Sequence, residues 1–171
     1  MNAPSVPQLP RVWRAVLSLR AVGTEARLCF EDLHVGDEYT SPGRTVTEAD
    51  IVIFAGLSGD YNVLHTDAEH MKSSIFGERI AHGLLGLSIQ HGLLTRSMPA
   101  TADLRFAGLK WKFKGPIKIG DTLHARARIV AKQDSDEPEW GMVTMERQVL
   151  NQLGEVVQEG ATEHLVARRL G

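Results

Sequence analysis

The chain has a single cysteine, Cys29, among its 171 residues, so no disulfide can form within it. It also has no group of cysteines and histidines at the spacing of a zinc site. Its apolar stretches are interrupted well before they reach membrane-spanning length. A formal net charge of −2 provides no general attraction to nucleic acid or to an anionic membrane. We therefore expect no bound metal, no nucleic-acid partner and no membrane insertion.

Acidic residues are almost absent from the first 29 residues, where four arginines accompany Glu25 alone. An arginine-rich, acid-poor leader is typical of a mitochondrial transit peptide. Three prolines among the first ten residues suit a targeting helix poorly. We favour a tail followed by a short amphipathic helix near residues 12–19. The predicted organisation is an N-terminal extension over residues 1–29 and one domain over residues 30–171, in the cytoplasm, with the mitochondrial matrix as the alternative.

The first part of the domain predicts a strand over residues 38–46 and then a helix. Thr47, with Asp50 three residues later, has the pattern of a helix N-cap. Gly59 stands where that helix would stop. A polar loop is expected over residues 60–67.

Residues 82–98 predict the central helix of the fold. Its leucines and isoleucine lie nearly all round a helical wheel, which is typical of a buried helix. Gly83, Gly86 and Gly92 each cost about 0.5–1 kcal/mol relative to alanine inside a helix. We therefore expect another part of the protein, or a ligand, to pack closely against the helix backbone.

The rest of the chain predicts strands. Apolar and polar residues alternate with a period of two over residues 109–114 and again over residues 123–129. Residues 143–150 and 156–167 predict two further strands. One apolar helix with at least four mostly antiparallel strands indicates an α+β fold. A curved antiparallel sheet wrapped around a central buried helix, the hot-dog fold, satisfies this pattern.

Groups that can transfer protons are concentrated in residues 57–67. Asp60 and His65 lie five residues apart beyond a helix end, close enough to converge on one site. A carboxylate beside an imidazole can deprotonate water and protonate a neighbouring carbon, as hydration of a double bond requires. Asn62 could orient either group by hydrogen bonding. The alternative is structural, because a loop aspartate commonly forms turns with its own backbone.

The start of the central helix suits a developing negative charge. Its first N–H groups are unsatisfied within the helix, and the helix dipole favours an anion there. Gly83, which follows His82, would let an unsaturated thioester bring its carbonyl oxygen close to the Gly83 amide. For His82, and for His91 within the helix, simple packing is the alternative.

Two motifs carry a resemblance to a known family. Residues 59–65 read Gly-Asp-Tyr-Asn-Val-Leu-His, and residues 81–83 read Ala-His-Gly. With the sequence around them they closely resemble the MaoC-like dehydratases, which include the (R)-specific enoyl-CoA hydratases. The resemblance runs from about residue 30 to near the C-terminus.

This resemblance implies a hot-dog fold, assembled at least as a homodimer, with the acyl-thioester site near the subunit contact. By motif position Asp60 and His65 match the catalytic pair, and Asn62 is their neighbour. Gly83 matches the backbone oxyanion donor, and we place His82 with it in substrate binding. The implied reaction is reversible hydration of a trans-2-enoyl thioester to the (R)-3-hydroxyacyl thioester, without metal or redox cofactor. Either coenzyme A or an acyl-carrier protein could carry the acyl group.

Two residues depart from the family pattern. Val63 stands where proline is most common, and His91 stands where some (R)-hydratases have serine. Both departures bear on the identity of the acyl group, which stays open, more than on the reaction.

Two other functions are compatible with the fold. A hot-dog acyl-CoA thioesterase commonly uses an acid on the central helix, whereas residues 82–98 contain no Asp or Glu. A non-catalytic acyl-thioester binding subunit would need neither Asp60 nor His65. Both observations favour the hydratase.

Overall fold

The computed structural model describes residues 27–101 and 104–169. The expected N-terminal helix near residues 12–19 lies outside the described residues, as does most of the expected extension. No helix in the described part of the chain is long and apolar enough to cross a membrane. After a 3-10 turn the elements are β1 (Glu38–Thr40), β2 (Arg44–Thr45), α1 (Glu48–Ser58), α2 (Val63–Thr66), α3 (Ala68–Lys72), α4 (Gly83–Ser97), β3 (Leu104–Phe113), β4 (Thr122–Asp134), β5 (Trp140–Leu150) and β6 (Val156–Ala167).

The strands form one antiparallel sheet in the order β1-β4-β5-β6-β3, and β2 also pairs with β4. The alternation predicted for β4 is confirmed, since its inward side chains are fully buried, namely Leu123, Ala125, Ala127 and Ile129. The first three of these pack in one cluster with α4, which lies across the sheet. The α+β hot-dog fold predicted from the sequence is therefore confirmed.

Two short-range predictions were wrong. The single strand expected over residues 38–46 is interrupted at Pro42 and Gly43, and its two halves pair separately with β4. Proline has no N–H to offer a strand ladder, which explains the break. The polar loop expected over residues 60–67 contains α2. Its helix cap is Asn62, whose Oδ1 accepts a hydrogen bond from the Leu64 amide at 3.0 Å.

The central helix α4 is buried on one side only, not nearly all round as predicted. Leu85, Ile89, Leu93 and Leu94 are buried, whereas the side chain of Leu84 is 58% exposed. The exposed face of α4 can therefore contact a ligand or another chain.

Close packing against the α4 backbone is confirmed at two glycines and is wrong at the third. A Cβ at Gly86 would lie 2.4 Å from Nε2 of Gln158, and one at Gly83 would lie 2.8 Å from the ring of Phe113. A Cβ at Gly92 would meet nothing within 4 Å. The first two glycines therefore let α4 approach the sheet.

A polar layer lies in the core on β5 and β6. Arg147 is 4% exposed, and His164 and Thr162 are fully buried. The Arg147 guanidinium donates from Nη2 to Nε2 of His164 at 2.8 Å, and the Thr162 hydroxyl donates to the same nitrogen at 3.1 Å. Burial lowers the pKa of Arg147 to about 10, so it stays charged at neutral pH. Burial, with the charge of Arg147, lowers the pKa of His164 to about 3.

The buried His164 should make the fold sensitive to mild acid. Its pKa lies near 6.5 in an unfolded chain and near 3 in the fold, so between those values only the unfolded state takes up the proton. Stability should therefore fall as pH falls through this window. From about pH 7 to about pH 5 we expect a loss on the order of 1–2 kcal/mol from this group. Urea titrations of wild type and His164→Gln would measure it, and equal acid sensitivity in both would contradict it.

Candidate active site

The side chains of Asp60 and His65 lie next to each other. Oδ2 of Asp60 is 3.9 Å from Nε2 of His65, and the two side chains are 53% and 10% exposed. The other ring nitrogen of His65, Nδ1, donates to the carbonyl of Ile80 at 2.7 Å. In the neutral imidazole this bond leaves the lone pair on Nε2, beside the carboxylate. Both groups can therefore contact the same small molecule and exchange protons with it.

Backbone geometry places the two groups together. Helix α1 ends at Gly59, whose φ of 75° is in the left-handed region that favours glycine. The chain then turns through Asp60, whose Oδ1 accepts from the Asn62 amide at 3.2 Å. The Thr66 hydroxyl lies within hydrogen-bond distance of the carbonyls of Tyr61 and Asn62. Asn62 thus acts through the backbone by capping α2, which carries His65, and makes no direct bond to the His65 ring.

His82 contacts both members of the pair. Its ring stacks on that of His65 at 3.7 Å between centroids. Its Nε2 donates to the Asp60 carbonyl at 2.9 Å. The ring is 2% exposed and lies 5.0 Å from that of Phe54. His82 therefore connects the pair to the start of α4, where it is the N-cap.

Arg79 connects the same segment to α1. Its guanidinium donates to both carboxylate oxygens of Glu48, at 2.8 and 2.6 Å. These bonds hold the pKa of Glu48 below its usual value. Arg79 thereby tethers the segment before α4 to the first helix.

Gly83 is the first residue of α4, and its carbonyl is hydrogen-bonded to a side chain of the sheet. Its carbonyl accepts a hydrogen bond from Nε2 of Gln158 at 2.9 Å, and Oε1 of Gln158 accepts from the Trp111 indole at 3.0 Å. The structure thus brings together Asp60, His65, His82 and Gly83 at one end of α4. Gln158 was not predicted from the sequence, because nothing distinguishes this glutamine from the other polar residues of β6.

Donor atoms of Asp60, His65 and His82 all lie within 4.8 Å of one another, a spacing at which a metal ion could bind. The two imidazole planes are stacked at 29°, which directs their nitrogens side by side. Zinc ligands must converge on one centre in a tetrahedron. One nitrogen of each ring also donates to a backbone carbonyl. The geometry fits a proton-transfer pair better than a metal site.

A groove of about 440 Å³ lies between α1 and α4 beside these residues. Its lining is mostly apolar and includes Ile53, Phe54 and Leu57 of α1, with Arg96 near the far end of α4. Because Phe54 also contacts His82, the groove leads to the polar cluster.

Comparison with known proteins assigns the family. The profile described as MaoC like domain matches residues 32–150. The chain belongs to the MaoC-like dehydratase family. An (R)-specific enoyl-CoA hydratase of Rhodospirillum rubrum is 34% identical over 82% of this chain and 92% of its own length. An (R)-specific enoyl-CoA hydratase of Aeromonas caviae is 30% identical over 66% of this chain and 80% of its own length.

A solved structure supports the same assignment. The MaoC-like dehydratase from Rhodospirillum rubrum superposes with a TM-score of 0.75 at 34% identity, over 84% of this chain and 99% of that one. The motif of residues 59–65 runs from the end of α1 into α2, and the Ala-His-Gly motif lies at the start of α4.

Val63, the departure from the usual MaoC-like motif, is the first residue of α2. Proline is favoured at this position, because its missing N–H has no partner within the helix. Asn62 has a ψ of 143°, which a residue before proline readily adopts. We expect Val63→Pro to stabilise the fold by about 0.4–1 kcal/mol. Chemical denaturation would measure the gain, and a loss of stability would show that this backbone does not accept proline.

Proposed function

We propose that this MaoC-like enzyme hydrates trans-2-enoyl thioesters reversibly to (R)-3-hydroxyacyl thioesters. The observation that carries the proposal is the lone pair of His65 Nε2, fixed by the bond to Ile80 and 3.9 Å from the Asp60 carboxylate. Relatives named (R)-specific enoyl-CoA hydratase and 3-hydroxybutyryl-CoA dehydratase support the same reaction.

Asp60 and His65 together handle the two protons of the reaction. Water adds its oxygen to the β-carbon and gives one proton to the pair, while the pair delivers a proton to the α-carbon. Side chains placed in this way typically contribute about 10²–10⁴ to the rate. His82 supports the pair by holding the Asp60 carbonyl and stacking on the His65 ring.

Negative charge that develops on the thioester oxygen is received at the start of α4. The Gly83 amide belongs to the first turn, where N–H groups lack partners within the helix. The helix dipole favours an anion at this end. Gln158 fixes the peptide that follows by bonding to the Gly83 carbonyl. The thioester thus lies with its carbonyl at Gly83 and its double bond beside Asp60 and His65.

The substrate is carried by coenzyme A or an acyl-carrier protein, and no metal or redox cofactor takes part. Both carriers present the acyl group on a flexible arm. The groove between α1 and α4 is the candidate path for that arm, since Phe54 lines it and touches His82.

We also propose that the enzyme is a homodimer joined along β3. This strand forms an edge of the sheet, and its apolar side chains are about half exposed, namely Leu104, Phe106, Leu109 and Phe113. An exposed apolar edge strand is a surface that another chain commonly covers. Light scattering should give the mass of two chains, and Leu109→Lys should shift the enzyme toward the monomer. A monomeric wild type would contradict the proposal.

A thioesterase is the second candidate with the same fold. The described helix α4 carries no carboxylate, and among the described residues Asp60 is the only acid within 4 Å of the His65 ring nitrogens. This arrangement suits hydration better than attack on the thioester carbonyl. Release of free thiol is the outcome that would favour hydrolysis.

The decisive experiment is an ultraviolet assay of the purified enzyme with crotonyl-CoA and a medium-chain trans-2-enoyl-CoA. Loss of the conjugated thioester with an intact thioester bond and an (R) product, shown by a stereospecific dehydrogenase, is the expected result. An (S) product would overturn the stereochemistry, and free thiol would overturn the reaction class. Binding of both substrates without turnover would indicate a binding subunit.

A further inference from the structure

Arg147 is a buried cation for which the described part of the chain supplies no acidic partner. Among residues 27–101 and 104–169, no carboxylate lies within salt-bridge distance of its guanidinium. Its Nη2 donates a hydrogen bond to His164, but its Nε has no hydrogen-bond partner in the described chain. A buried charge without a counterion destabilises a fold. Such a group therefore calls for an explanation other than stability.

A second unused donor lies next to it. Because Nε2 of His164 accepts from Arg147, its hydrogen is on Nδ1, which finds no acceptor among the described residues. On α4 the amide of Gln90 is also buried without a described partner. Native proteins satisfy nearly all buried polar groups, and exceptions often mark functional sites. Two donors beside one positive charge match a ligand that only accepts hydrogen bonds, which is the property of a carboxylate.

An apolar surface leads from the proposed reaction centre to these donors. At one end Gly83 contacts Phe113, and at the other the ring of Phe106 lies edge-on to His164, at 5.0 Å between centroids. Between them Leu109 is about half exposed on the same strand, β3. Phe106 also lies edge-on to His91 of α4, which is eight residues or about 12 Å beyond Gly83. This spacing along α4 is comparable to the length of a medium-length acyl chain.

We propose that Arg147 and His164 bind the terminal carboxylate of a dicarboxylic acyl chain whose thioester lies at Gly83. The inference rests on the proposed hydration and adds its substrate class. The carboxylate accepts from Nε of Arg147 and Nδ1 of His164. Phe106 covers the pair from the edge of the sheet and belongs, with Leu109, to the proposed dimer contact along β3. The acyl chain would therefore lie between this edge and the partner chain.

The first test compares trans-2-decenoyl-CoA with the same chain ending in a carboxylate. Hydrogen bonds from charged donors predict that wild type prefers the carboxylated substrate by about 10- to 100-fold in kcat/KM, mainly through KM. Arg147→Met keeps the volume and removes the charge, and should abolish the preference. Arg126→Met is the matched control, because Arg126 is exposed on β4 and loses the same charge. An equal preference in wild type and Arg147→Met would overturn the proposal.

A binding measurement separates this inference from the proposed reaction. The saturated decanoyl-CoA and its carboxylated counterpart cannot be hydrated, so their effect on the melting temperature reports binding alone. The carboxylated ligand should stabilise wild type more than the plain one does, and should lose that advantage in Arg147→Met. If that variant does not fold, His164→Leu, which removes the second donor, should reduce the advantage. If the carboxylated ligand stabilises wild type more than the plain one does, but wild type hydrates no enoyl thioester, the proposed reaction fails and the proposed carboxylate site stands. Equal stabilisation of wild type by both ligands would overturn the site whatever the reaction.

Discussion

Replacing Asp60 by Asn or His65 by Gln should each lower kcat for enoyl-thioester hydration by about 10²–10⁴-fold. Asn keeps the shape of Asp60 and its bond from the Asn62 amide, but it cannot take up a proton. Gln can still donate to the Ile80 carbonyl from the His65 position, but it has no titratable nitrogen. The loss should therefore be one of turnover, with little change in KM or in the assembly.

Matched controls exist at exposed positions elsewhere in the described chain. His70 and Asp136 are exposed, so His70→Gln and Asp136→Asn make the same chemical changes away from the pair. Both controls should keep the wild-type rate. Circular dichroism and light scattering would verify that the Asp60 and His65 variants remain folded and assembled. A variant at either position with the rate of the parent would exclude that residue from the proton transfers.

The double variant Asp60→Asn/His65→Gln adds a further criterion. Residues that act as one unit show strongly non-additive losses, because removing either member already disables the step. We therefore expect the double variant to be about as slow as the slower single variant. Multiplicative losses would mean that the two side chains act in separate steps.

The helix ends near the site were predictable from the sequence because short-range hydrogen bonds determine them. Asp50 accepts bonds from the Thr47 amide and hydroxyl, and Gly59 ends α1, as the spacing of these residues indicates. The resemblance to the MaoC-like family implied Asp60 and His65 as the catalytic pair and Gly83 as the oxyanion donor. Their proximity in the fold agrees with that expectation, while their roles are what the variants above test.

The contacts that support the site were not predictable, because they depend on the register of distant strands. Gln158 bonds to Gly83 across 75 residues of sequence, and Arg147 reaches His164 from a neighbouring strand. Neither residue belongs to a motif. The stacking of His82 on His65 likewise requires the turn of α2 and the start of α4 to meet, as the bond from Ile80 to Leu64 shows.

Alanine at two glycines of α4 should have opposite effects on stability. Gly86→Ala would place a Cβ 2.4 Å from Nε2 of Gln158 and 2.5 Å from Cδ1 of Ile117, so these side chains must move. Overpacking of this kind typically costs about 1–3 kcal/mol. Gly92→Ala meets nothing within 4 Å and should gain about 0.5–1 kcal/mol, because alanine loses less entropy in a helix.

The same pair of variants links stability to the site. In Gly86→Ala the displaced Gln158 should release the Gly83 carbonyl, which loosens the first turn of α4 where the thioester oxygen is proposed to bind. Gly92 lies nine residues beyond Gly83 and lines the groove between α1 and α4, so its replacement should leave kcat unchanged and could alter only KM. Urea denaturation and the hydration assay on both variants would measure the two effects. Because the substitutions are identical and share one helix, a similar loss of kcat in both would refute the link through Gln158. A loss in Gly86→Ala alone, larger in kcat than in KM, would support a role for that glutamine in holding the oxyanion donor in place.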